Sequence, residues 1–140
     1  MFSKILVGLD GSSYANKAIT YAADMAKKYE SKITLIHVVA SHVFAYEGVV
    51  VADLDKKIEE EGKRVLDKGK KLALSLGVQV DTKLVMGHPP DEICKVANEE
   101  GYDLLVIGNR GLSRVKAFLL GSVSERVSRY AKCPVLIVKS

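Results

Sequence analysis

The stretch Leu104-Leu105-Val106-Ile107-Gly108-Asn109-Arg110-Gly111 joins an apolar run typical of a β-strand to a loop that begins and ends with glycine. Gly121-Ser122 follows nine residues after Gly111, where a helical pattern begins. Glycine lets backbone N–H groups approach an anion closely, and a helix N-terminus adds unpaired N–H donors. These features together predict a phosphate-binding loop at the end of a strand.

The spacing of this loop excludes two common nucleotide-binding motifs. A Walker A loop needs Gly-Lys followed by Ser or Thr, and a dinucleotide fingerprint needs G-x-G-x-x-G; the chain contains neither. Two other interpretations stay open. The glycines could serve only the turn between strand and helix, and Ser122 with Glu125 matches a capping box, in which Ser122 would cap the helix.

Strand and helix patterns alternate along the whole chain. Apolar strand patterns occupy residues 5–9, 33–39, 78–86, 104–107 and 135–138. The first helix follows Ser12 or Ser13, either of which could cap it, and the third opens at Pro89-Pro90. This alternation predicts an α/β fold in which helices cover both faces of a parallel sheet.

The second helix and the segment before it are less regular. Gly62 and Gly69 lie on the apolar face of this helix, where glycine lowers helix propensity. We therefore expect the helix backbone to approach the sheet closely at both glycines. Residues 41–54 are rich in Val, Phe and Tyr, and we expect an apolar loop that forms a lid or a partner surface, or a short extra helix.

Length and composition predict one globular domain over residues 1–140. Of the residues, 48% are hydrophobic and 27% charged, and no apolar run approaches the roughly 20 residues that a bilayer requires. The chain opens on a strand pattern rather than on a secretory leader, so we expect a cytoplasmic location and no membrane partner. Cys94 and Cys133 lie within apolar patterns, and we expect reduced thiols.

The net charge of +4 raises the question of whether the protein binds nucleic acid. The densest basic stretch, residues 63–71, is preceded and interrupted by acidic residues, as on a solvated helix face. Because neither a stacking set of aromatic residues nor a helix-turn-helix accompanies it, we expect no nucleic-acid partner.

The three histidines share no spacing typical of a metal site. His37 lies within a strand, so we expect a hydrogen-bonded core histidine. His88 precedes Pro89 at a helix start, so we expect a turn residue rather than a general base.

The glycine spacing G-x2-G-x9-G-S resembles that of the ATP-binding branch of the universal stress protein family. Residues 4–12, 35–39, 87–93 and 133–138 frame it in the family's order, so the resemblance covers nearly the whole chain. It implies a Rossmann-like, open five-stranded sheet of order 3-2-1-4-5. Ligands bind such sheets where the strand order reverses, here between the first and fourth strands, which end at Asp10 and Gly108.

The resemblance also implies a ligand and a set of contacts. ATP would bind with Mg²⁺ or Mn²⁺ through its phosphates, and Asp10 would hold either the ribose hydroxyls or that metal. Adenine would meet backbone groups at Val38. The cofactor-binding residues implied in this way are Gly8, Leu9, Asp10, Val38, Ile107, Gly108, Arg110, Gly111, Gly121, Ser122, Val123 and Ser124.

By the same resemblance the chain is an ATP-binding module of stress response or signalling. It would form a homodimer in which residues 134–139, an apolar edge strand, pair with their copy. We identify no catalytic residue in the sequence. The enzymatic alternative is an adenylyl-transfer or slow ATP-hydrolysing protein on the same fold, and a further alternative is an interaction module that binds no nucleotide. A receiver domain is excluded because no aspartate ends the third strand.

Overall fold

The structure is a computed structural model that describes residues 1–40, 51–109 and 121–140. Within these ranges, five strands alternate with four helices. The elements in chain order are β1 (Lys4–Leu9), α1 (Tyr14–Tyr29), β2 (Lys32–Val39), α2 (Val51–Ser75), β3 (Val80–Met86), α3 (Pro89–Glu99), β4 (Leu104–Gly108), α4 (Ser122–Tyr130) and β5 (Val135–Val138). Predictions that concern residues 41–50, Arg110 and Gly111 lie outside the described residues.

The strands form one parallel sheet of order β3-β2-β1-β4-β5, which confirms the order implied by the resemblance. β1 lies at the centre, with β2 on one side, where Leu9 pairs with His37, and β4 on the other, where Val7 pairs with Val106. The chain moves outward from β1 through β2 to β3, and then crosses back to β4. The carboxyl ends of β1 and β4 therefore flank the point where the strand order reverses.

Both faces of the sheet are buried. One cluster packs the sheet against α1 and α2 and includes Ile5, Val7, Leu35, Ala18 and Ala22; the other packs it against α3 and α4 and includes Leu6, Ile36, Leu105, Ile93 and Val127. Successive strand residues face opposite sides, so a strand buried on both faces is apolar without alternation. This is why the strand patterns in the sequence were near-continuous.

The glycines of α2 let the helix backbone lie directly on the sheet, as the sequence predicted. A Cβ at Gly62 would come within 2.7 Å of Leu84 Cδ1, and one at Gly69 within 2.7 Å of Leu9 Cδ1 and 3.0 Å of Leu35 Cδ1. These distances leave no room for a side chain. Close packing thus offsets the helix propensity that each glycine loses.

Two predicted boundaries are wrong. Residues 51–54 were expected in a loop or in a short extra helix, but they belong to α2, which begins at Val51. β3 begins at Val80 and not at residue 78, because the Val78 N–H donates to the carbonyl of Ala73 and closes the end of α2. Gly77 has a φ of 84° at this helix end, a conformation that favours glycine.

We predict that Gly69→Val destabilises the fold by about 1–3 kcal/mol, because the added side chain overpacks the contact with Leu9 and Leu35. Lys70→Val is the matched control, since it places valine at the next, exposed position of the same helix. Urea unfolding of both variants measures the difference. A Gly69→Val protein as stable as Lys70→Val would contradict the close approach of α2.

Candidate functional site

A cavity of about 430 Å³ opens at the carboxyl ends of β1, β2 and β4, at the reversal of strand order. Its walls come from these strand ends, from the starts of α1, α3 and α4, and from α2. The lining residues are Gly8, Leu9, Asp10, Ala15, His37, Val38, Val39, Ala40, Ile58, Glu61, Gly62, Pro89, Ile93, Ile107, Gly108, Asn109, Gly121, Ser122, Val123 and Ser124.

The structure brings together the predicted site residues that it describes. Arg110 and Gly111 lie outside the described residues, and the other ten line this one cavity: Gly8, Leu9, Asp10, Val38, Ile107, Gly108, Gly121, Ser122, Val123 and Ser124. Three of them, Leu9, Val38 and Ile107, are also core residues, each less than 8% exposed. Their side chains pack the sheet, and they also form part of the cavity wall.

The two ends of the cavity differ in chemistry. At the β2 side, Val38, Val39, Ala40 and Ile58 present apolar side chains. At the β4 side, the lining consists of Gly108, Asn109 and the start of α4, where backbone amides of the first helical turn lack intrahelical acceptors. One end therefore suits a flat apolar group, and the other suits an anion.

Asp10 is bonded to Ser12, one of the two serines that were candidates to cap α1. Its Oδ1 accepts hydrogen bonds from the backbone N–H of Ser12, at 2.9 Å, and from the Ser12 hydroxyl. Ser13 is the N-cap of α1 but makes no side-chain capping bond. An Asp side chain that bonds the N–H two residues on stabilises its own turn. Asp10 Oδ2 accepts no hydrogen bond from the described residues.

The capping box predicted for α4 is also wrong. Gly121, not Ser122, is the N-cap, and no side chain caps the helix. Ser122 is the first helical residue and is exposed, so its hydroxyl is not used as a cap. Ser124 is 2% exposed and donates its hydroxyl to the Gly121 carbonyl at 2.9 Å, which holds this turn from inside.

Gly8 has a packing reason to be glycine. A Cβ there would lie 3.0 Å from Ile107 Cγ2, on the neighbouring strand of the cavity floor. Its position on the wall therefore does not by itself indicate a ligand contact.

His37 lines the cavity although sequence reasoning did not include it in the site. Its Nδ1 lies 2.7 Å from the carbonyl oxygen of Leu9, which confirms the expected hydrogen-bonded histidine. The signal in the sequence was its place one residue before Val38, at the end of β2. His88, as expected, is a turn residue: it is the N-cap of α3, and its ring contacts Asp91 at 3.1 Å.

Asn109 is a second lining residue that the sequence analysis left out, and it is 8% exposed. Its N–H donates to Val138, its carbonyl accepts from the Gly121 N–H, and its Oδ1 accepts from the Ser140 N–H, each at 2.9 Å. This one residue joins the end of β4 to the end of β5 and to the start of α4. The accepting Oδ1 fixes the orientation of the amide, and Nδ2 donates to none of the described residues.

Comparison with known proteins identifies the fold. The family model described as "Universal stress protein family" matches residues 1–139. The chain belongs to the universal stress protein family.

Individual relatives cover the chain from end to end. The universal stress protein YxiE of Bacillus subtilis is 36% identical over 148 residues, which span 99% of this chain and 100% of that protein. The solved structure of hypothetical protein MJ0577 is 33% identical with a TM-score of 0.88, and the match covers 100% of this chain and 97% of that one. A universal stress protein in complex with cAMP is 30% identical with a TM-score of 0.78, over 98% and 97% of the two chains.

Within residues 1–40, 51–109 and 121–140, no three His, Cys, Asp or Glu side chains are grouped to hold a metal ion. In those same ranges, none of the helices combines the length and apolar character needed to span a bilayer. Cys94 and Cys133 of this universal stress protein are free thiols, and burial raises the pKa of both.

We predict that Asn109→Ala destabilises the protein by about 1 kcal/mol, because it removes the part-buried hydrogen bond that ties the Ser140 N–H to the end of β4. Asn98→Ala is the control: Asn98 Oδ1 accepts the Lys132 N–H at 2.8 Å and Nδ2 donates to the Tyr130 carbonyl at 3.3 Å, but both bonds are exposed, and their loss costs less. Urea unfolding ranks the two variants, and amide hydrogen exchange locates the fraying at residues 138–140. Equal stabilities would contradict the linking role of Asn109.

Proposed function

We propose that this universal stress protein binds ATP in the cavity at the reversal of strand order. The observation that carries the proposal is the opposed chemistry of the two ends: apolar side chains at β2 and a helix start behind a glycine loop at β4. The triphosphate lies at the Gly108 and Gly121 end and the adenine at the Val38 end.

The start of α4 supplies the anion site. The backbone amides of residues 122–124 donate no hydrogen bond to any described residue, and the helix dipole places positive potential at this end. Gly121 has φ −60° and ψ 155°, a conformation open to any residue. The backbone therefore does not require glycine at residue 121. We assign the glycine instead to the close approach of a phosphate oxygen.

Asp10 has one oxygen available for the ligand. Oδ1 is held by Ser12, and Oδ2 faces no donor among the described residues. Mg²⁺ commonly binds through one or two carboxylates together with substrate phosphates. Asp10 Oδ2 thus fits a single ligand to Mg²⁺ or Mn²⁺ held by the phosphates, and it equally fits an acceptor for the ribose hydroxyls.

A relative supports a nucleotide ligand. The universal stress protein solved with cAMP is 30% identical over nearly the whole length of both chains. Cyclic AMP and ATP share adenine, ribose and phosphate, so both ligands require the same apolar slot and anion site.

Binding rather than turnover is the role that we assign to the site. The titratable side chains among the described lining residues are Asp10, His37 and Glu61. Each has one atom bonded within the protein, Asp10 Oδ1 to Ser12, His37 Nδ1 to the Leu9 carbonyl and Glu61 Oε2 to Arg64 at 2.7 Å, and among the described residues no hydrogen bond joins any two of these three side chains. A cytoplasmic stress-response or signalling module fits this arrangement, with adenylyl transfer or slow hydrolysis as the alternative.

The lateral edges of the sheet differ, and this supports a homodimer. The β3 edge carries Asp81 and Lys83, and charged side chains protect a free edge from pairing. β5 reads Val-Leu-Ile-Val without a charge. Because the carbonyls of Pro134 and Val138 accept from β4, the backbone groups of Val135 and Ile137 point away from the sheet. We infer that this edge pairs with its copy about a two-fold axis.

Gly121→Val is expected to abolish ATP binding while the fold survives, because valine occupies the phosphate position without straining the backbone. Ser122→Ala is the matched control, and it weakens binding only about twofold to tenfold, since the amide donors remain. Isothermal calorimetry with ATP and Mg²⁺ measures both, and chromatography of the mixture afterwards reports any ADP or AMP. A folded Gly121→Val protein that binds ATP as tightly as the parent would falsify the anion site.

Ile137→Pro is expected to convert the dimer to a monomer. Proline removes the Ile137 N–H, which points away from the sheet, and it leaves the hydrogen bonds between β5 and β4 intact. Ile137→Ala is the control, since it loses side-chain packing but keeps the N–H. Analytical ultracentrifugation at micromolar concentration compares the two with the parent. The proposal fails if the parent sediments as a monomer or if Ile137→Pro still dimerises.

A further inference from the structure

The neutral ring of His37 is held in one tautomer. Its Nδ1 lies 2.7 Å from the Leu9 carbonyl oxygen, and a carbonyl oxygen only accepts hydrogen bonds. Nδ1 therefore carries the hydrogen, and Nε2 of the neutral ring carries a lone pair. The contact also fixes the ring plane, because His37 and Leu9 are the last register pair of β1 and β2.

The Nε2 edge of the ring has no partner in the described parts of the chain. No hydrogen bond joins it to those residues, and the ring lines the cavity. Gly62 lies opposite, where a Cβ would stand 3.3 Å from Cδ2, the ring atom bonded to Nε2. Glycine at this point of α2 keeps a side chain off this part of the ring.

No described side chain at this end of the cavity brings a donor to this acceptor. Val38, Val39, Ala40 and Ile58 are apolar, and the Glu61 carboxylate accepts from Arg64. A ligand that brings an N–H group to Nε2 therefore makes a hydrogen bond that a ligand without this group cannot make, and it gains affinity.

We propose that His37 Nε2 accepts a hydrogen bond from the exocyclic amino group of the bound adenine and so makes the site selective for 6-aminopurines. This assignment rests on the proposed function, since it places the base at the apolar end. The two ring nitrogens then have different roles: Nδ1–H donates to the Leu9 carbonyl at the end of β1, and Nε2 accepts from the base.

The direct test compares ATP with purine riboside 5′-triphosphate, which differs only in lacking the 6-amino group. The parent protein is expected to bind the analogue about threefold to tenfold more weakly, the ratio that one net hydrogen bond produces. Calorimetry under identical Mg²⁺ and salt gives both affinities.

Two variants separate the tasks of the ring. His37→Asn keeps an N–H donor near the Nδ1 position and loses Nε2, so it should retain stability and bind the two nucleotides equally. His37→Gln places its amide near the Nε2 position and loses the donor to Leu9, so it should retain selectivity in a less stable protein. Thermal unfolding of both provides the structural control.

Nitrogen NMR of the ligand-free parent tests the tautomer without any variant. The His37 ring should show a protonated Nδ1 and an unprotonated Nε2 at a pH where it is neutral, and the Nε2 resonance should shift when ATP binds but not when the analogue binds. A ring protonated at Nε2 would overturn the assignment.

The outcomes distinguish the two proposals. If the parent binds neither nucleotide, the proposed function fails and this assignment fails with it. If the parent binds both equally, or if His37→Asn keeps the full preference for ATP, nucleotide binding stands and the role of His37 is wrong.

Discussion

Parallel pairing of β1 with both β2 and β4 is the constraint on which the rest of this structure depends. It places the carboxyl ends of β1, β2 and β4 side by side. After β1 and β2 the chain continues to one face of the sheet, and after β4 to the other, so a cavity opens between these segments. Backbone groups at those ends lie beyond the ladder and need other partners. His37 and Asn109 satisfy several of them, which makes the floor and one wall of the cavity rigid.

The sequence predicted the fold through features with a local cause. Near-continuous apolar runs indicated strands buried on both faces, Pro89-Pro90 indicated the start of α3, and glycine on the apolar face of α2 indicated close packing. Ten of the twelve predicted site residues line one cavity, because glycine spacing and strand ends are both visible in the chain. Whether they contact a ligand stays a prediction.

The predictions of side-chain contacts were wrong where one side chain had several possible partners nearby in the sequence. Ser122 and Glu125 have the spacing of a capping box, yet α4 begins one residue earlier than that motif requires, and Ser124 bonds the Gly121 carbonyl instead. Ser12 and Ser13 were both candidates to cap α1, but Ser12 bonds Asp10 and Ser13 makes no side-chain capping bond. Asn109 was missed because its partners, Val138 and Ser140, lie about thirty residues away, and only the sheet brings them together.

The two free edges of the sheet also determine how far it can grow. A sheet edge that meets its own copy closes the pair, and any third molecule would then have to add at β3. That edge presents Asp81 and Lys83, and Lys83 is already bound to Glu100. Charged side chains disfavour strand addition at this edge, so sheets joined in the proposed way would stop at two chains.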